Sequence, residues 1–499
     1  MTPARASVAR PRPSIPATEN PKVVRLGSLP LGDVEGLRRD VIDRCKEGAR
    51  LVALFVPPRA TELVAVVARD DCADIAIQRA ALAGPSYPAL SSELPAAQAF
   101  EREILEVHGV RPEGHPWLKP LRRHDAHPFF QVDGPGIHEV AVGPVHAGII
   151  EPGHFRFQCA GEKVLHLEIQ LGYQHRGVER LMLSSSPARR IAIAEAIAGD
   201  TTIGHAIAHA AAVEALGAGE LPLHAQAVRA VALELERLAN HVGDLGALCN
   251  DVGYLPGASW LGRLRGEMLN ALLVLSGNRF GRGLIRVGGV RFDLDSGQKR
   301  ELAARLAEVE RDLDAIVELV LDTPSVASRF EGTGVVSREI AEALGLVGPV
   351  ARASGCDRDV RRDHPAGLYR FAQVPVAVTE SGDVMARALV RALEIKRSLE
   401  FVHDQLREQP EGPARSRQLA LEPTPARPDR LVVSLVEGWR GEIAHVAMTD
   451  ADGAIAAYQI VDPSLHNWLG LAMALRDGEI SDFPLCNKSF NLSYAGHDL

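Results

Sequence analysis

Glu151 and His205 are the side chains of this sequence that are best suited to moving protons. Glu151 directly follows two isoleucines, Ile149 and Ile150. Apolar neighbours take water away from a carboxyl group and raise its pKa, which suits a group that binds and releases protons near neutral pH. The competing interpretation of Glu151 is a structural carboxylate that accepts hydrogen bonds from the backbone of a turn.

His205 belongs to the stretch around which we expect the chain to be organised, a single long helix predicted from Pro187 to Leu216. Ser186 is a suitable N-cap, and proline is favoured at the first helical position. Ala198, Thr201 and His205 are spaced i, i+3 and i+7, so they share one face of this helix. A face of small residues and one imidazole is expected either to border a cavity or to pack closely against another helix.

Possible metal ligands are few and scattered. His205 and His209 are one helical turn apart and could bind a metal ion together, but the sequence offers no third ligand beside them. No two cysteines form a C-x-x-C pair, so the chain has no local thiolate pair for zinc or an iron–sulfur cluster. We interpret the cysteines as reduced, mostly buried thiols of a cytosolic protein. They are Cys45, Cys72, Cys159, Cys249, Cys356 and Cys486.

The composition excludes several classes of protein. At 499 residues the chain is long enough for two or more domains, and hydrophobic residues make up 46% of it. The formal net charge of −9 argues against a nucleic-acid-binding protein. No apolar run reaches the roughly 18 residues of a membrane-spanning helix, so we expect any membrane association to depend on other chains. No glycine-rich dinucleotide fingerprint is present, so any oxidation of NADH would occur on another chain.

The patterning predicts an α+β protein in three parts. Residues 1–22 contain several prolines and no periodicity, which predicts a disordered tail. Residues 23–126 alternate between helical and strand patterns and predict a small α/β domain. Residues 127–499 predict a mainly helical domain with flanking β-hairpin elements. Its long amphipathic stretches fall at 187–216, 228–245, 259–278, 297–321 and 381–407, its hairpin pairs Glu442–Thr449 with Ile455–Val461, and an exposed loop covers Gln409–Arg430.

The end of the first domain resembles a known family. Two segments carry the resemblance, Phe100-Glu-Arg-Glu-Ile-Leu-Glu-Val-His-Gly-Val and Glu113-Gly-His-Pro-Trp-Leu-Lys-Pro-Leu-Arg-Arg. They are similar to the end of the small hydrophilic subunit of respiratory complex I, the 30-kDa type. In that family, the turn that corresponds to Gly114-His115-Pro116 precedes a segment that embraces the neighbouring large subunit.

The second domain resembles the large catalytic subunit shared by complex I (the 49-kDa type) and membrane-bound [NiFe] hydrogenases. The resemblance begins in Gly143-Pro-Val-His-Ala-Gly-Ile-Ile-Glu-Pro-Gly-His and Leu171-Gly-Tyr-Gln-His-Arg-Gly. It continues through Asp359-Val-Arg-Arg-Asp-His-Pro, Trp439-Arg-Gly-Glu and Asp462-Pro-Ser-Leu-His-Asn-Trp. The Gly-Ile-Ile-Glu-Pro variant is closer to the energy-converting hydrogenase branch, such as formate hydrogenlyase. The sequence therefore looks like a fused small and large subunit.

This sequence departs from the family at the positions that hold nickel and iron. The family uses two C-x-x-C pairs, because soft sulfur ligands hold nickel and bridge it to iron. The resemblance places the first pair on Ala198 and Thr201, and the second on Ser493 and Gly496. Alanine and glycine cannot bind a metal through their side chains, and neutral hydroxyls are poor nickel ligands. We therefore expect no bimetallic site and no hydrogenase activity.

The quinone-binding side chains of the complex I branch are also absent. In that branch a histidine and a tyrosine bind the quinone head group, and the corresponding residues here are Ile150 and Gly199. Glu151, by contrast, matches an acid that the hydrogenase branch uses to move protons near its active site. His205 matches the histidine that follows the first cysteine pair. The resemblance thus implies a remodelled cavity with Glu151 and His205 as candidates for a proton relay.

The resemblance also implies where the protein works and with what partners. It predicts a peripheral subunit on the cytoplasmic side of the cell membrane, in an NADH dehydrogenase (quinone)-like or hydrogenase-like complex. No cofactor is expected on this chain. An Fe–S cluster is expected on a partner iron–sulfur small subunit, membrane antiporter-like subunits are expected as further partners, and quinone is a possible acceptor. Two hypotheses remain open: a redox subunit that reduces quinone or another acceptor, and a non-catalytic scaffold or coupling subunit.

Overall fold

The computed structural model describes residues 19–59, 61–124, 127–148, 150–217, 221–416 and 426–499. Long packed helices lie beside several small, mainly antiparallel sheets, which confirms the predicted α+β class. The predicted boundary between the two domains lies between residues 126 and 127, directly after residues 125 and 126, which lie outside the described residues.

The N-terminal part combines short strands with two helices. Its elements are β1 (Lys22–Arg25), β2 (Leu31–Asp33), α1 (Val34–Lys46), β3 (Arg50–Phe55), β4 (Glu62–Arg69), β5 (Asp74–Ala81), β6 (Ser86–Pro88), α2 (Gln98–His108) and β7 (Arg111–Glu113), with 3₁₀ turns at Leu26–Ser28 and Pro95–Ala97. Strands β2, β5, β4 and β3 form one sheet in that order, in which only β2 and β5 are parallel. Helix α1 begins after Asp33, whose carboxylate accepts a hydrogen bond from the amide of Gly36.

The C-terminal part carries most of the helices. Its strands are β8 (Ile137–Val142), β9 (His154–Ala160), β10 (Lys163–Gln170), β11 (Ile285–Arg286), β12 (Gly289–Val290), β13 (Arg430–Gly438), β14 (Gly441–Thr449) and β15 (Ile455–Val461). Its helices are α3 (Val178–Ser184), α4 (Pro187–Ala194), α5 (Thr202–Leu216), α6 (Leu223–Asp251), α7 (Leu255–Ser276), α8 (Ser296–Asp322), α9 (Pro324–Phe330), α10 (Arg338–Ala343), α11 (Gly348–Ala353), α12 (Val360–Asp363), α13 (Val384–Glu408), α14 (Pro463–Leu475), α15 (Phe483–Phe490) and α16 (Tyr494–Asp498), with 3₁₀ turns at Gly367–Arg370 and Ile480–Asp482. The predicted hairpin is confirmed as β14 and β15, and three predicted long helices are confirmed as α7, α8 and α13.

A four-stranded antiparallel sheet in the order β1-β13-β14-β15 joins the two parts of the chain. Side chains on successive residues of a strand point to opposite faces. Leu431 and Val433 therefore face the hydrophobic core of the N-terminal part, whereas Val432 and Tyr458 face a core formed with α3 and α5. The sheet is thus covered on both sides, and residues on its second face point towards α5.

Helix α6 forms the centre of the helical region and packs against α7 and α13. The sequence predicted one apolar and one charged face, and the structure buries both. The charged face is neutralised by partners on other elements, for example Glu234 by Arg361, and Asp244 by Arg391. Isolated buried charges would be strongly destabilising, so these pairs are a condition for burying the helix.

The single helix predicted from Pro187 to Leu216 is wrong. The structure has two helices, α4 and α5, separated by the irregular segment 195–201, which contains Gly199 and Asp200. Ser186 precedes α4, but its side chain makes no capping hydrogen bond. The second helix begins at Thr202, so of the three residues predicted to share one helical face only His205 lies within a helix.

The predicted disordered tail also differs from the structure at its end. Residues 1–18 lie outside the described residues, but the side chain of Asn20 is buried and pairs with the backbone of Leu435. Lys22 begins strand β1, which pairs with β13. Within the predicted loop Gln409–Arg430, residues 417–425 lie outside the described residues, and Ser416 is buried.

Candidate functional site

Arg440, in the turn between β13 and β14, holds together two segments that are distant in the sequence. Its Nη1 and Nη2 donate to the two carboxylate oxygens of Asp200 at 2.6 and 2.8 Å. Its Nε donates to the backbone oxygen of Asn491 at 2.5 Å, and its guanidinium lies 3.9 Å from the ring centroid of Trp439. Burial opposes the positive charge, but Asp200 outweighs it and raises the pKa of Arg440. The segment 195–201 is therefore fixed against the segment before α16.

Arg176 provides a second connection between the same two segments. Its guanidinium donates to the backbone oxygens of Ala196 and Ile197, both at 2.7 Å, and to that of Ala495 at 2.9 Å. A guanidinium carries five N–H donors in a fixed planar arrangement, so one side chain can satisfy several carbonyl groups of irregular backbone. Two arginines thus stabilise a region that neither helix nor sheet hydrogen bonds could hold.

Glu236, on α6, holds the beginning of α5 beside this site. Its carboxylate accepts hydrogen bonds from the amides of Ile203 at 2.6 Å and Gly204 at 3.0 Å. These amides lie in the first turn of α5, where no intrahelical acceptor exists. Burial raises the pKa of Glu236 to about 8, against the effect of the two amides. The first turn of α5 is therefore capped by Glu236 from a neighbouring helix. The side chain of Thr201, at the N-cap position, makes no capping bond.

The four positions at which the sequence predicted lost metal ligands lie on these connected segments, and all four are buried. The hydroxyl of Thr201 lies 3.3 Å from Arg440 Nη1, and the hydroxyl of Ser493 accepts the amide of Gly496 at 2.8 Å. Ala198 has no exposed surface. A Cβ atom placed on Gly496 would lie 2.5 Å from Cγ of Asp462. The room that a side chain would need at position 496 is thus taken by an aspartate.

Glu151 lies at the edge of the same site and is partly buried. Burial raises the pKa of its carboxyl group, in opposition to the nearby charge of Arg440, and Asp200 raises it further. The neighbouring backbone of Tyr494 and the side chain of Gln174 act to lower this pKa. A raised pKa suits the predicted proton-transfer group and polar neighbours suit the structural alternative, so both interpretations of Glu151 stay predictions.

The two positions predicted to have lost quinone ligands lie on the open side of the site. The side chain of Ile150 is 49% exposed, and Gly199 is exposed with no atom within 4 Å of the position that a Cβ would take. Ile149, the other apolar neighbour expected beside Glu151, lies outside the described residues. The site is therefore closed on the side of Arg440 and open on the side of Ile150 and Gly199.

His205 is fully buried and pairs with Asp462 rather than with Glu151. Its Nε2 lies 3.0 Å from Asp462 Oδ2, and its Nδ1 lies 3.1 Å from Nε2 of His445. His209 does not join His205 in a metal-binding pair, because its Nδ1 lies 2.7 Å from the hydroxyl of Tyr458. Among the described residues, no group of three or more His, Cys, Asp or Glu side chains is arranged to hold a metal ion.

Comparison with known proteins identifies the family. The family model for the respiratory-chain NADH dehydrogenase 49 Kd subunit matches residues 251–427, and the model for the 30 Kd subunit matches residues 59–132. Formate hydrogenlyase subunit 5 of Escherichia coli (strain K12) is 31% identical over 446 residues, which cover 83% of this chain and 77% of that protein. The chain belongs to the complex I 49-kDa and hydrogenase large-subunit family.

A second relative supports the assignment, and a solved structure shares the fold. The carbon monoxide-induced hydrogenase of Rhodospirillum rubrum is 31% identical over 353 residues, which cover 70% of this chain and 96% of that protein. A chain of the membrane-bound sulfane sulfur reductase, an archaeal respiratory membrane complex, shares the fold with a TM-score of 0.69 at 24% identity, and the match covers 74% of this chain and 100% of that chain. The predicted resemblance, including its 30-kDa part and its formate hydrogenlyase branch, is confirmed. No helix of the described residues is long and apolar enough to cross a membrane.

The residues that hold the site together were not among the site residues predicted from the sequence. Arg176, Arg440 and Asp462 lie inside three of the motifs that carried the resemblance, and Glu236 lies on a helix that the resemblance covers, so the signal was present, but nothing in the sequence indicated what they contact. Asp200 carried no signal that separates it from surface charges. The partners that Asp200, Arg176 and Glu236 have in this site lie 20 or more residues away in the chain, and only the fold brings them together.

Proposed function

We propose that this chain is the large subunit of a membrane-associated, complex I-related oxidoreductase and that it works without a nickel–iron centre. One observation carries the proposal. The segments that would provide the two thiolate pairs instead carry Ala198, Thr201, Ser493 and Gly496, and Arg440 connects them by binding both Asp200 and the backbone oxygen of Asn491.

The residues present do not fit a nickel–iron centre. Such a centre needs soft thiolate ligands, and the sequence contains no C-x-x-C pair. The only cysteine after Cys356 is Cys486, which is buried against Gly334 and has its pKa raised to about 11 by burial. A thiol with a raised pKa is a poor source of thiolate. No step of the proposed reaction therefore passes through nickel.

We propose that the subunit takes part in electron transfer to quinone or another acceptor at the open side of the site. The exposed Ile150 and Gly199 leave room there for a flat apolar group, and the fold neighbour described as a sulfane sulfur reductase offers a second class of acceptor. Reduction of such acceptors consumes protons together with electrons. Glu151 lies at the edge of this opening with a raised pKa, so it is placed to supply them.

The partners follow from the family and from the open face. In this proposal an iron–sulfur small subunit covers the face of Ile150 and Gly199 and delivers electrons. Membrane antiporter-like subunits hold the chain at the cytoplasmic side of the membrane and couple the reaction to ion translocation. The sulfane sulfur reductase that shares the fold is described as an archaeal respiratory membrane complex, which supports this arrangement.

The test is elemental analysis of the complex purified from its native host, combined with assays of hydrogen uptake and of quinone reduction. We expect no stoichiometric nickel, no hydrogen oxidation above background, and reduction of a short-chain quinone or of polysulfide. Nickel in a 1:1 ratio to this chain, or hydrogen oxidation, would overturn the metal-free proposal.

A non-catalytic scaffold is the second candidate. The tight filling of all four former ligand positions favours it, because a site that binds nothing gains stability from being packed. The two candidates make different predictions for the iron–sulfur small subunit. Intact cluster cysteines in that subunit support electron transfer, and their loss supports the scaffold. An assembled complex that transfers electrons to no acceptor would decide for the scaffold.

A further inference from the structure

Five buried side chains form an unbroken hydrogen-bonded row that begins at Asp462. His205 Nε2 lies 3.0 Å from Asp462 Oδ2, and His205 Nδ1 lies 3.1 Å from His445 Nε2. The hydroxyl of Tyr458 then lies 2.9 Å from His445 Nδ1 and 2.7 Å from His209 Nδ1. Each of the five side chains is 5% exposed or less.

The regular structure around the row explains its geometry. His205 and His209 are four residues apart on α5, so both face the four-stranded sheet of β1, β13, β14 and β15. Strand β15 pairs Tyr458 with Ala447 of β14, two residues from His445, so Tyr458 and His445 are diagonal neighbours on the same face of the sheet. The row is therefore held between one helix and two paired strands, which keeps its donors and acceptors in line.

Charge and valence determine where the protons of the resting row lie. Burial holds the pKa of His445 well below its usual range and lowers that of His209 to about 3, so both rings are neutral. Despite its burial, Asp462 has a lowered pKa because His205 hydrogen-bonds to it, so it is a carboxylate that only accepts. His205 therefore donates from Nε2. If His205 is neutral, its Nδ1 accepts a hydrogen bond from Nε2–H of His445. Nδ1 of His445 then accepts from the hydroxyl of Tyr458, and the oxygen of Tyr458 accepts from Nδ1–H of His209.

A second arrangement satisfies every hydrogen bond with one more proton. A proton added at Nε2 of His209 lets His209 Nδ1–H pass to Tyr458, the Tyr458 hydroxyl proton to His445 Nδ1, and the His445 Nε2 proton to His205 Nδ1. His205 is then an imidazolium ion that donates to Asp462 from Nε2. Each group releases one proton as it accepts one, so the row conducts a proton without any side chain moving from its place.

We propose that His209, Tyr458 and His445 form a proton relay that charges His205 at the candidate site, where the added proton is held against Asp462. The proposal rests on the proposed function in one respect, that the site consumes protons. Asp462 lies against position 496 and within electrostatic reach of Arg440, so the inner end of the row reaches the site. The charged groups that face the row from other elements are Arg190 of α4, near His209 and Tyr458, and Glu179 of α3, near Tyr458.

The relay assigns functions to His445 and Tyr458, which the sequence did not single out, beside His205 and His209. Within it, His205 receives protons from the interior, whereas Glu151 handles protons at the open face. Arg440 lies within electrostatic reach of both Glu151 and Asp462, the partner of His205. In this proposal the site therefore has two separate groups that supply protons.

The resting arrangement can be tested by solid-state NMR of the assembled complex with 15N-labelled histidine. The relay requires His209 to be protonated at Nδ1, the rarer form of neutral histidine, and His445 to be protonated at Nε2. The signals are assigned by comparison with His209→Gln and His445→Gln. A His209 protonated only at Nε2, or a positively charged His445 at neutral pH, would overturn the proposal, whatever the complex catalyses.

The transfer itself is tested by turnover of the assembled complex. Tyr458→Phe keeps the ring and removes the hydroxyl, and we expect acceptor reduction to fall about 100-fold. His445→Gln can still donate and accept hydrogen bonds but cannot pass a proton on, so it should show the same loss and decides the question if the phenylalanine variant does not assemble. Tyr254→Phe, at the start of α7, is the matched control and should keep wild-type turnover.

The outcomes separate this proposal from the proposed function. Wild-type turnover in an assembled Tyr458→Phe or His445→Gln complex would leave the row a structural network and overturn the relay, while the proposed function stands. Absence of any redox turnover in the wild-type complex would instead refute the proposed function. In that case the relay is tested by proton uptake of the complex, which both variants should reduce and the Tyr254→Phe control should not.

Discussion

At the scale of single residues, Glu151 and Gly496 define the two sides of the site. Glu151 faces the open side and has a raised pKa, whereas Gly496 lies against a buried aspartate. Their roles differ accordingly: one is expected to ionise during function, and the other is needed because no side chain fits.

Glu151→Gln should reduce turnover or ion coupling of the assembled complex by about 100-fold, because glutamine keeps the shape of the side chain but cannot ionise. The measurement is acceptor reduction by the purified complex, with assembly checked by gel filtration. Full activity in an assembled Glu151→Gln complex would leave only the structural role for this residue.

Gly496→Cys should destabilise the protein by about 1–3 kcal/mol, the usual cost of inserting atoms into a packed interior. The new Cβ would lie 2.5 Å from Cγ of Asp462, so the aspartate or the backbone must shift. The matched control is Gly199→Ala, where nothing lies within 4 Å of the added atom. Thermal unfolding of the complex measures both variants, and equal effects would show that the space at position 496 is not limiting.

At the scale of elements, the interrupted helix is the most consequential feature of the fold. The segment 195–201 places Asp200 against Arg440, and Glu236 of α6 holds the start of α5 in place. A continuous helix would have hydrogen-bonded the carbonyl groups of Ala196 and Ile197 internally and left Arg176 without these two partners.

Glu236→Ala should destabilise the protein by about 3 kcal/mol, because it leaves the amides of Ile203 and Gly204 buried without a partner. Glu236→Gln keeps one acceptor oxygen and should cost about half as much. Glu308→Ala, on an exposed position of α8, serves as the control and should change stability little. Denaturant unfolding monitored by circular dichroism gives the comparison, and an unchanged midpoint for Glu236→Ala would refute the capping role.

At the scale of the whole molecule, a buried network of charges joins the helical region to the central sheet. Four carboxyl groups, Glu234, Asp359, Glu394 and Glu437, share three arginines, Arg237, Arg352 and Arg361. Glu437 also lines an open cavity of about 500 Å³, although only 3% of the residue is exposed. The network has one more carboxyl group than it has arginines. This agrees with the raised pKa of Glu437, which burial and the neighbouring Asp359 bring to about 7.

The network predicts a specific pH dependence of stability. Because the folded-state pKa of Glu437 is raised, the folded protein holds a proton that the unfolded chain releases between about pH 4.5 and about pH 7. The free energy of unfolding should therefore fall as the pH rises through this window. In Glu437→Gln this contribution is absent, so its stability should fall less over the same range. The measurement is the free energy of unfolding as a function of pH. Parallel curves for wild type and Glu437→Gln would contradict the assignment of the pH dependence to Glu437.

Exposed apolar side chains predict that the chain depends on partners. Val145 and Phe371 are each 74% exposed and Leu255 is 61% exposed, besides Ile150 at the open face of the site. We expect the protein to aggregate or unfold when it is produced alone and to become monodisperse when it is co-produced with its complex. Size-exclusion chromatography distinguishes the two, and a cooperatively folded monomer at micromolar concentration would count against the prediction.

The sequence by itself determined the family and the fold class. Periodicity gave α7, α8, α13 and the hairpin of β14 and β15, because these patterns are local and repeat with the period of the element. The absence of paired cysteines is a property of the sequence alone. Glu151 and His205 were also visible, since the motifs around them are contiguous.

Only the tertiary structure decided how the site is built. Arg440 meets Asp200 and Asn491, and His205 meets His445 and Asp462, across 240 or more residues of chain in three of these four pairs. Such pairs leave no periodic signal, because the sequence specifies each partner separately and the fold alone brings them within hydrogen-bonding distance. The break before α5 escaped prediction for the same reason: its cap, Glu236, comes from another helix. Local sequence patterns therefore predicted the helices and strands, whereas the site is formed by long-range hydrogen bonds and ion pairs that only the fold reveals.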